Sequence, residues 1–297
     1  MMTLPMRSDA SARLFSRRAL AVLTLIFCHS WIPVASARDL PLWDLGLGIA
    51  ALSIPDYRGS SENEDYVLPF PYFVYRGETF RVDRDGITGG LFRSDRVRVD
   101  LSLNIGQPTD SDRNDARQGM PDLDATFEIG PSLKILLSLN EKRTAAWSLQ
   151  FPVRAVYATD LHDAEFVGWI FSPHLNFENH NFGPGGYWDF EASIGPVYAT
   201  QEYNDYFYSV APQYATPARP AYQAAGGYSG YRVTLSLSKR FSLFWVGAFT
   251  RYDNLHGAVF DDSPLVTQDY SLMAGVGLAW IITTSKTTVK HDPRIWW

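Results

Sequence analysis

The chain has 297 residues, 46% hydrophobic and 14% aromatic, with 26 basic side chains against 32 acidic ones and a single cysteine. A net charge of −6 speaks against a nucleic-acid partner, which rewards basic patches, and one cysteine excludes a disulfide framework. No apolar run is long enough for a transmembrane helix.

Residues 1–37 read as a secretory leader. Arg7, Arg13, Arg17 and Arg18 form its charged region, 19–27 its short apolar core, and Ala35-Ser36-Ala37 its cleavage site. Cys28 follows a bulky Phe27 where a lipoprotein signal wants a small residue. Removing the leader takes away the cysteine, four arginines and one aspartate, leaving 22 basic against 31 acidic residues and a net charge of −9.

The mature chain from Arg38 alternates with a period of two. Strand one covers 42–53, with Trp43, Leu45, Leu47 and Ile49 on one face. Residues 54–66 are a polar loop. Strand two, 67–75, contains Pro69 and Pro71, which point to an irregular or unpaired edge. After a turn at 76–78, residues 79–83 and 87–92 flank Arg84-Asp85-Gly86 and form either one bulged strand or a short hairpin. Strand 97–106 is followed by a long loop, 107–121.

The clearest signal is the stretch 122–157. Leu123, Ala125, Phe127, Ile129, Leu133 and Ile135 alternate with Asp124, Thr126, Glu128, Ser132 and Lys134, and Leu136 is the one exception. A charged turn at 140–143 leads into Ala145, Trp147, Leu149, Phe151 and Val153 against Ser148, Gln150 and Arg154. Two long alternating strands on a tight turn suit a transmembrane β-hairpin, one face on lipid and the other on a polar lumen. Taken alone, this hairpin also admits a soluble sandwich. Strands 167–177 and 188–198 follow, separated by a turn at 179–186. The longest irregular segment is 200–227. Strands 231–238 and 243–252 then flank a turn at 239–242, and a loop to 268 precedes the last strand, 272–282.

Outer-membrane barrels keep short turns at the periplasmic end and long loops outside. Treating 79–92 as a hairpin places every long loop on one side and yields an all-β, antiparallel transmembrane barrel of twelve strands. One domain, 38–297, is expected, with 283–297 either a periplasmic tail or a sign that the last strand lies elsewhere.

Inward positions carry Arg96, Arg98, Asp100, Asp124, Glu128, Lys134, Arg154, His174, Glu178, Asp189, Glu191 and Arg232. Mixed charges there pair across strands or line a water-filled lumen. The catalytic reading rests on Ser172 with His174, or on Glu178, Asp189 and Glu191 as paired carboxylates. No G-x-S-x-G, H-x-x-x-H or H-E-x-x-H spacing accompanies them, so no catalytic, cofactor or metal site is assigned. Trp43, Trp147, Trp169, Trp188, Trp245 and Trp280 read as lipid-facing or girdle residues. Tyr203, Tyr206, Tyr208, Tyr214 and Tyr222 lie in the long outer loop, contacting a ligand or packing over the barrel mouth.

Several stretches together resemble the MipA/OmpV family of outer-membrane proteins. They are Pro55-Asp56-Tyr57-Arg58-Gly59-Ser60, Leu68-Pro69-Phe70-Pro71-Tyr72, Tyr75-Arg76-Gly77, Gly130-Pro131-Ser132-Leu133 and Phe171-Ser172-Pro173. Gly226-Gly227-Tyr228-Ser229-Gly230-Tyr231, Arg251-Tyr252-Asp253-Asn254-Leu255 and Asp262-Ser263-Pro264-Leu265-Val266 complete the set. The resemblance implies an outer-membrane barrel without catalytic residues. It further implies a scaffold for murein remodelling, with a lytic transglycosylase and a peptidoglycan synthase as partners beside membrane lipid. A pore for small solutes is the first alternative, and a lipid- or glycan-acting hydrolase the second.

Overall fold

The computed structural model describes residues 40–77, 80–83, 86–89, 92–160, 162–183 and 187–289. The leader with Cys28, the tail with His291, Trp296 and Trp297, and residues 78–79, 84–85, 90–91, 161 and 184–186 lie outside them. The chain separates into units 1–36 and 37–297, and every described residue belongs to the second.

The strands are β1 (Leu40–Pro41), β2 (Trp43–Pro55), β3 (Asn63–Arg76), β4 (Phe80–Asp83), β5 (Gly86–Gly89), β6 (Phe92–Arg93), β7 (Val97–Gly106), β8 (Ala125–Leu139) and β9 (Ala145–Thr159). They continue with β10 (Ala164–Phe171), β11 (His174–Phe182), β12 (Trp188–Ala199), β13 (Gly227–Arg240), β14 (Phe244–Asn254), β15 (Tyr270–Thr284) and β16 (Thr288–Val289). Neighbours in sequence pair antiparallel, and β15 returns to pair with β2, which closes the wall. β10 and β11 both pair β9 and β12, as one strand interrupted at Ser172–Pro173. With β5 and β6 also taken as one strand, the barrel among the described residues has the twelve positions expected.

The alternation sorts side chains as lipid and lumen require. In β2, Leu45, Leu47 and Ile49 are exposed outward, Leu47 at 60%, whereas Asp44, Gly46 and Gly48 are buried inward. Loops 56–62, 107–124, 200–226 and 255–269 share one end, and the turns at 94–96, 140–144 and 241–243 the other. Leu136 breaks the alternation in composition only: opposite Ser148 it keeps the inward face of Lys134, and a β-bulge follows it, where the β8–β9 register shifts between Leu136 and Ser138.

The prolines of β3 mark an unpaired edge, as expected. β3 pairs β4 only at Tyr75 and Arg76, so among the described residues its outer edge over 63–74 has no ladder partner. Arg76 N–H donates to Leu42 O, which turns even-numbered main-chain groups toward β2 and odd-numbered ones toward the open edge. Pro69 and Pro71 therefore remove donors where no acceptor waits.

Four expectations need correction. β11 runs to Phe182, so 179–182 is strand and His180 lies within it. β8 begins at Ala125, which leaves Leu123 in an isolated bridge to Thr109 and Asp124 in the loop. The segment 200–227 contains a helix, α1 (Gln201–Tyr208). Eight residues are too few to show helical periodicity or to form a stable helix alone. α1 is held by packing on β10, where Gly168, at φ +128°, leaves room for Tyr203: a Cβ there would sit 2.7 Å from its main-chain nitrogen. Finally, β15 ends at Thr284, and β16 folds back onto β1 with Leu40 opposite Val289. Residues 285–289 are thus tied to the start of the barrel.

Candidate functional site in the lumen and its cap

Inward charges meet in four groups. Glu128 on β8 accepts from Arg154 Nε at 2.6 Å and from Asn104 Nδ2 at 2.8 Å, and Arg154 also reaches the hydroxyls of Ser102 and Ser172. Asp100 pairs with Arg98 at 2.7 Å and Lys134 at 3.6 Å. Asp253 on β14 holds Arg232 Nε at 2.9 Å and Arg58 Nε at 3.0 Å. Nearer the short-turn end, Asp44 takes Arg76 at 2.7 Å and two bonds of 2.8 Å from Arg240. Buried ion pairs of this kind specify an arrangement more than they stabilise it.

Of the inward residues expected from sequence, Arg98, Asp100, Glu128, Lys134, Arg154 and Arg232 meet as lumen pairs. Arg96 and Asp124 do not, because both sit exposed beyond the ends of their strands. Glu178 and Glu191 are direct cross-strand partners, and Asp189 meets His180 Nδ1 at 2.8 Å. His174 Nδ1 contacts the main-chain oxygen of Ser172 at 2.8 Å, while the Ser172 hydroxyl accepts from Arg154. The nucleophile–base contact that a serine hydrolase needs is therefore not made by that nitrogen. Among the described residues no group of three or more His, Cys, Asp or Glu is placed to hold a metal. Arg58, Arg251 and Asp253 went unassigned as site residues, although all three lie in stretches that carry the family resemblance.

Some of those stretches, with α1 and the neighbouring loops, build a cap over the end that carries the long loops. Tyr208 of α1 stacks on Phe260 at 3.7 Å between ring centroids, and Tyr57, Leu255 and Leu265 join them in a buried core. Tyr57 donates to Leu265 O, Tyr208 to Arg58 O and Ser263 to Tyr208 O, at 2.7–3.0 Å. Asn114 bridges Asp56 and Ser60, and Arg117 reaches Phe207 O and Pro121 O. Gly230, at φ +90°, is required where β13 meets β14: a Cβ there would lie 2.1 Å from Asn254 O. Tyr203, Tyr206 and Tyr208 thus pack over the mouth.

Burial pushes the Tyr203 phenol up to about 12 and raises those of Tyr57 and Tyr208 as well. Phenols held neutral add stability that is complete below the ordinary value of about 10 and is lost as pH rises toward their folded values. Proteolysis of loop 200–226 is expected to stay slow to about pH 9 and to accelerate between about pH 10 and 12. A rate flat across that window would show that the cap does not depend on these rings.

Below the charged belt the lumen changes character. Trp245, expected at the lipid girdle, points inward and packs on Phe70 and Tyr72 at 6.5 and 5.8 Å. Its ring lies over Gly247, and Phe70 over Gly48, where any Cβ would come within 2.4 Å of them. With Leu52 and Phe249 these rings wall a cavity of about 310 Å³. A second cavity, of about 170 Å³, is lined by Asn104, Arg154, His174, Arg232 and Arg251.

A family model described as MltA-interacting protein MipA matches residues 47–282. Outer membrane protein OmpV of Vibrio cholerae serotype O1 is 24% identical over 223 residues, 70% of this chain and 76% of that protein. Outer membrane protein Omp26La of Vibrio anguillarum is 25% identical over 214 residues, with the same 70% and 76% coverage. Among solved structures, the translocator domain of autotransporter NalP from Neisseria meningitidis aligns with a TM-score of 0.41 and 8% identity over 92% of this chain and 96% of that one. The NanC porin aligns with a TM-score of 0.35 and 8% identity over 80% and 100%.

Proposed function

The chain belongs to the MltA-interacting protein MipA family and is an outer-membrane protein, and from that premise we propose that it is a non-enzymatic scaffold for a lytic transglycosylase and a peptidoglycan synthase. The family description supports the first partner directly. The packed cap supports the direction of the assembly, since it leaves the periplasmic end as the face that wall enzymes reach. There the turns expose Asp95, Arg96, Glu141, Lys142 and Arg143, and Leu243 is 71% exposed beside them. Mixed charges on short turns suit a partner held partly by screened electrostatics.

Folded protein from Arg38, with the leader removed as proposed from the sequence, is immobilised in detergent and exposed to solubilised envelope proteins. A lytic transglycosylase is expected to be retained above a control barrel and released by salt. Retention of no wall enzyme overturns the scaffold. The charged lumen favours a small-solute pore as second reading, and steady conductance in planar bilayers would establish it. The cap predicts none.

A further inference from the structure

The two lumen cavities follow one another along β13 and β14. Along β14, Phe249 lines the lower one and Arg251 the upper; along β13, Ser236 and Thr234 do the same. Alternate residues of one strand share a face about 7 Å apart, so an apolar chamber lies next to a cationic pocket.

Charge does not balance in the upper lumen. Arg58, Arg154, Arg232 and Arg251 face Glu128 and Asp253, and both carboxylates are already engaged by the first three. The Arg251 guanidinium forms no hydrogen bond or ion pair among the described residues, and its Nε is buried without a partner. A guanidinium whose Nε is buried and unpaired is costly, and a carboxylate is the group that matches it. Glu178 and Glu191 lie an inward step nearer the periplasm on β11 and β12, so an anion belongs above them, against Arg251. Beneath, the chamber offers Leu52, Phe70, Trp245 and Phe249 and a volume of about 310 Å³, at the lower end of small-molecule sites. Phe70 sits on the stretch of β3 whose outer edge has no ladder partner among the described residues, which places the chamber beside that edge.

We propose that the lumen binds a small amphiphilic anion, with its acid group on Arg251 and its apolar chain in the chamber walled by Phe70, Trp245 and Phe249.

Decanoate is the probe, with decanol and inorganic phosphate as its two halves. The protein is held in nanodiscs to keep detergent out of the chamber, and empty nanodiscs supply the background. Saturable decanoate binding is expected, about tenfold or more tighter than decanol, with phosphate failing to compete. Arg251→Gln is expected to weaken decanoate about tenfold. Gly277→Val fills the chamber instead. A Cβ at Gly277 lies 3.4 Å from Trp245 and 3.7 Å from Phe70, so the strand tolerates it while the added methyls take the chain's space. Heat-dependent gel mobility checks that each variant folds. Equal binding of decanol, competition by phosphate alone, or wild-type affinity in both folded variants would each overturn the proposal.

Discussion

Asp253→Asn is expected to lower the barrel's unfolding free energy by about 3–5 kcal/mol, the usual cost of removing one partner from a buried ion pair. Asp253 is 3% exposed and carries the ion pairs of Arg58 and Arg232, with Arg251 two residues away on the same inward face. Asparagine keeps the shape and removes the charge, which leaves three guanidinium groups with no carboxylate between them. Urea unfolding of the reconstituted variant measures the loss. Added phosphate should recover part of it, because a free anion can occupy the vacated place. A loss below about 1 kcal/mol, typical of exposed pairs, would mean that water already screens these arginines and that Asp253 is no hub.

Phe260→Ala tests the cap rather than the wall. Truncating a buried phenylalanine costs about 3–5 kcal/mol, and Phe260 is 0% exposed beneath the Tyr208 ring. Its contacts lie within the loops, so the loss should appear as local opening while the barrel's own unfolding midpoint stays near that of the wild type. Protease is expected to cut loop 200–226 much faster, and planar bilayers should gain conductance that the wild type lacks. Faster cleavage without conductance would place the seal in the charged belt below. No change in either would remove the cap as the closing element, and with it the support it lends to the scaffold over the pore.

The wall was legible because its signal is local. A period of two needs only neighbouring residues, and a barrel in lipid must turn one of the two faces outward. One irregularity was written there too: Pro69 with Pro71 marked the unpaired edge. Errors gathered where local pattern stops deciding. Arg96 and Asp124 keep the parity of lumen residues but stand past the ends of their strands. Trp245 has the composition of a girdle residue, and only the position of Gly247 beneath its ring shows that it lies inside. Asp189 and His180 were separated by a turn drawn four residues too early.

By itself, then, the sequence determined the barrel, the gathering of its long loops at one end and its count of about twelve strands, since alternation and loop length follow from the chain's immediate neighbours and the demands of lipid. The cap, the Asp253 hub and the two-part lumen were decided by the tertiary structure. Arg58 and Asp253, or Asp44 and Arg240, lie almost two hundred residues apart and meet only because β15 closes on β2. Which charges find partners, and which one is left without, depends on that closure and on strand register, and neither is a property of any short stretch.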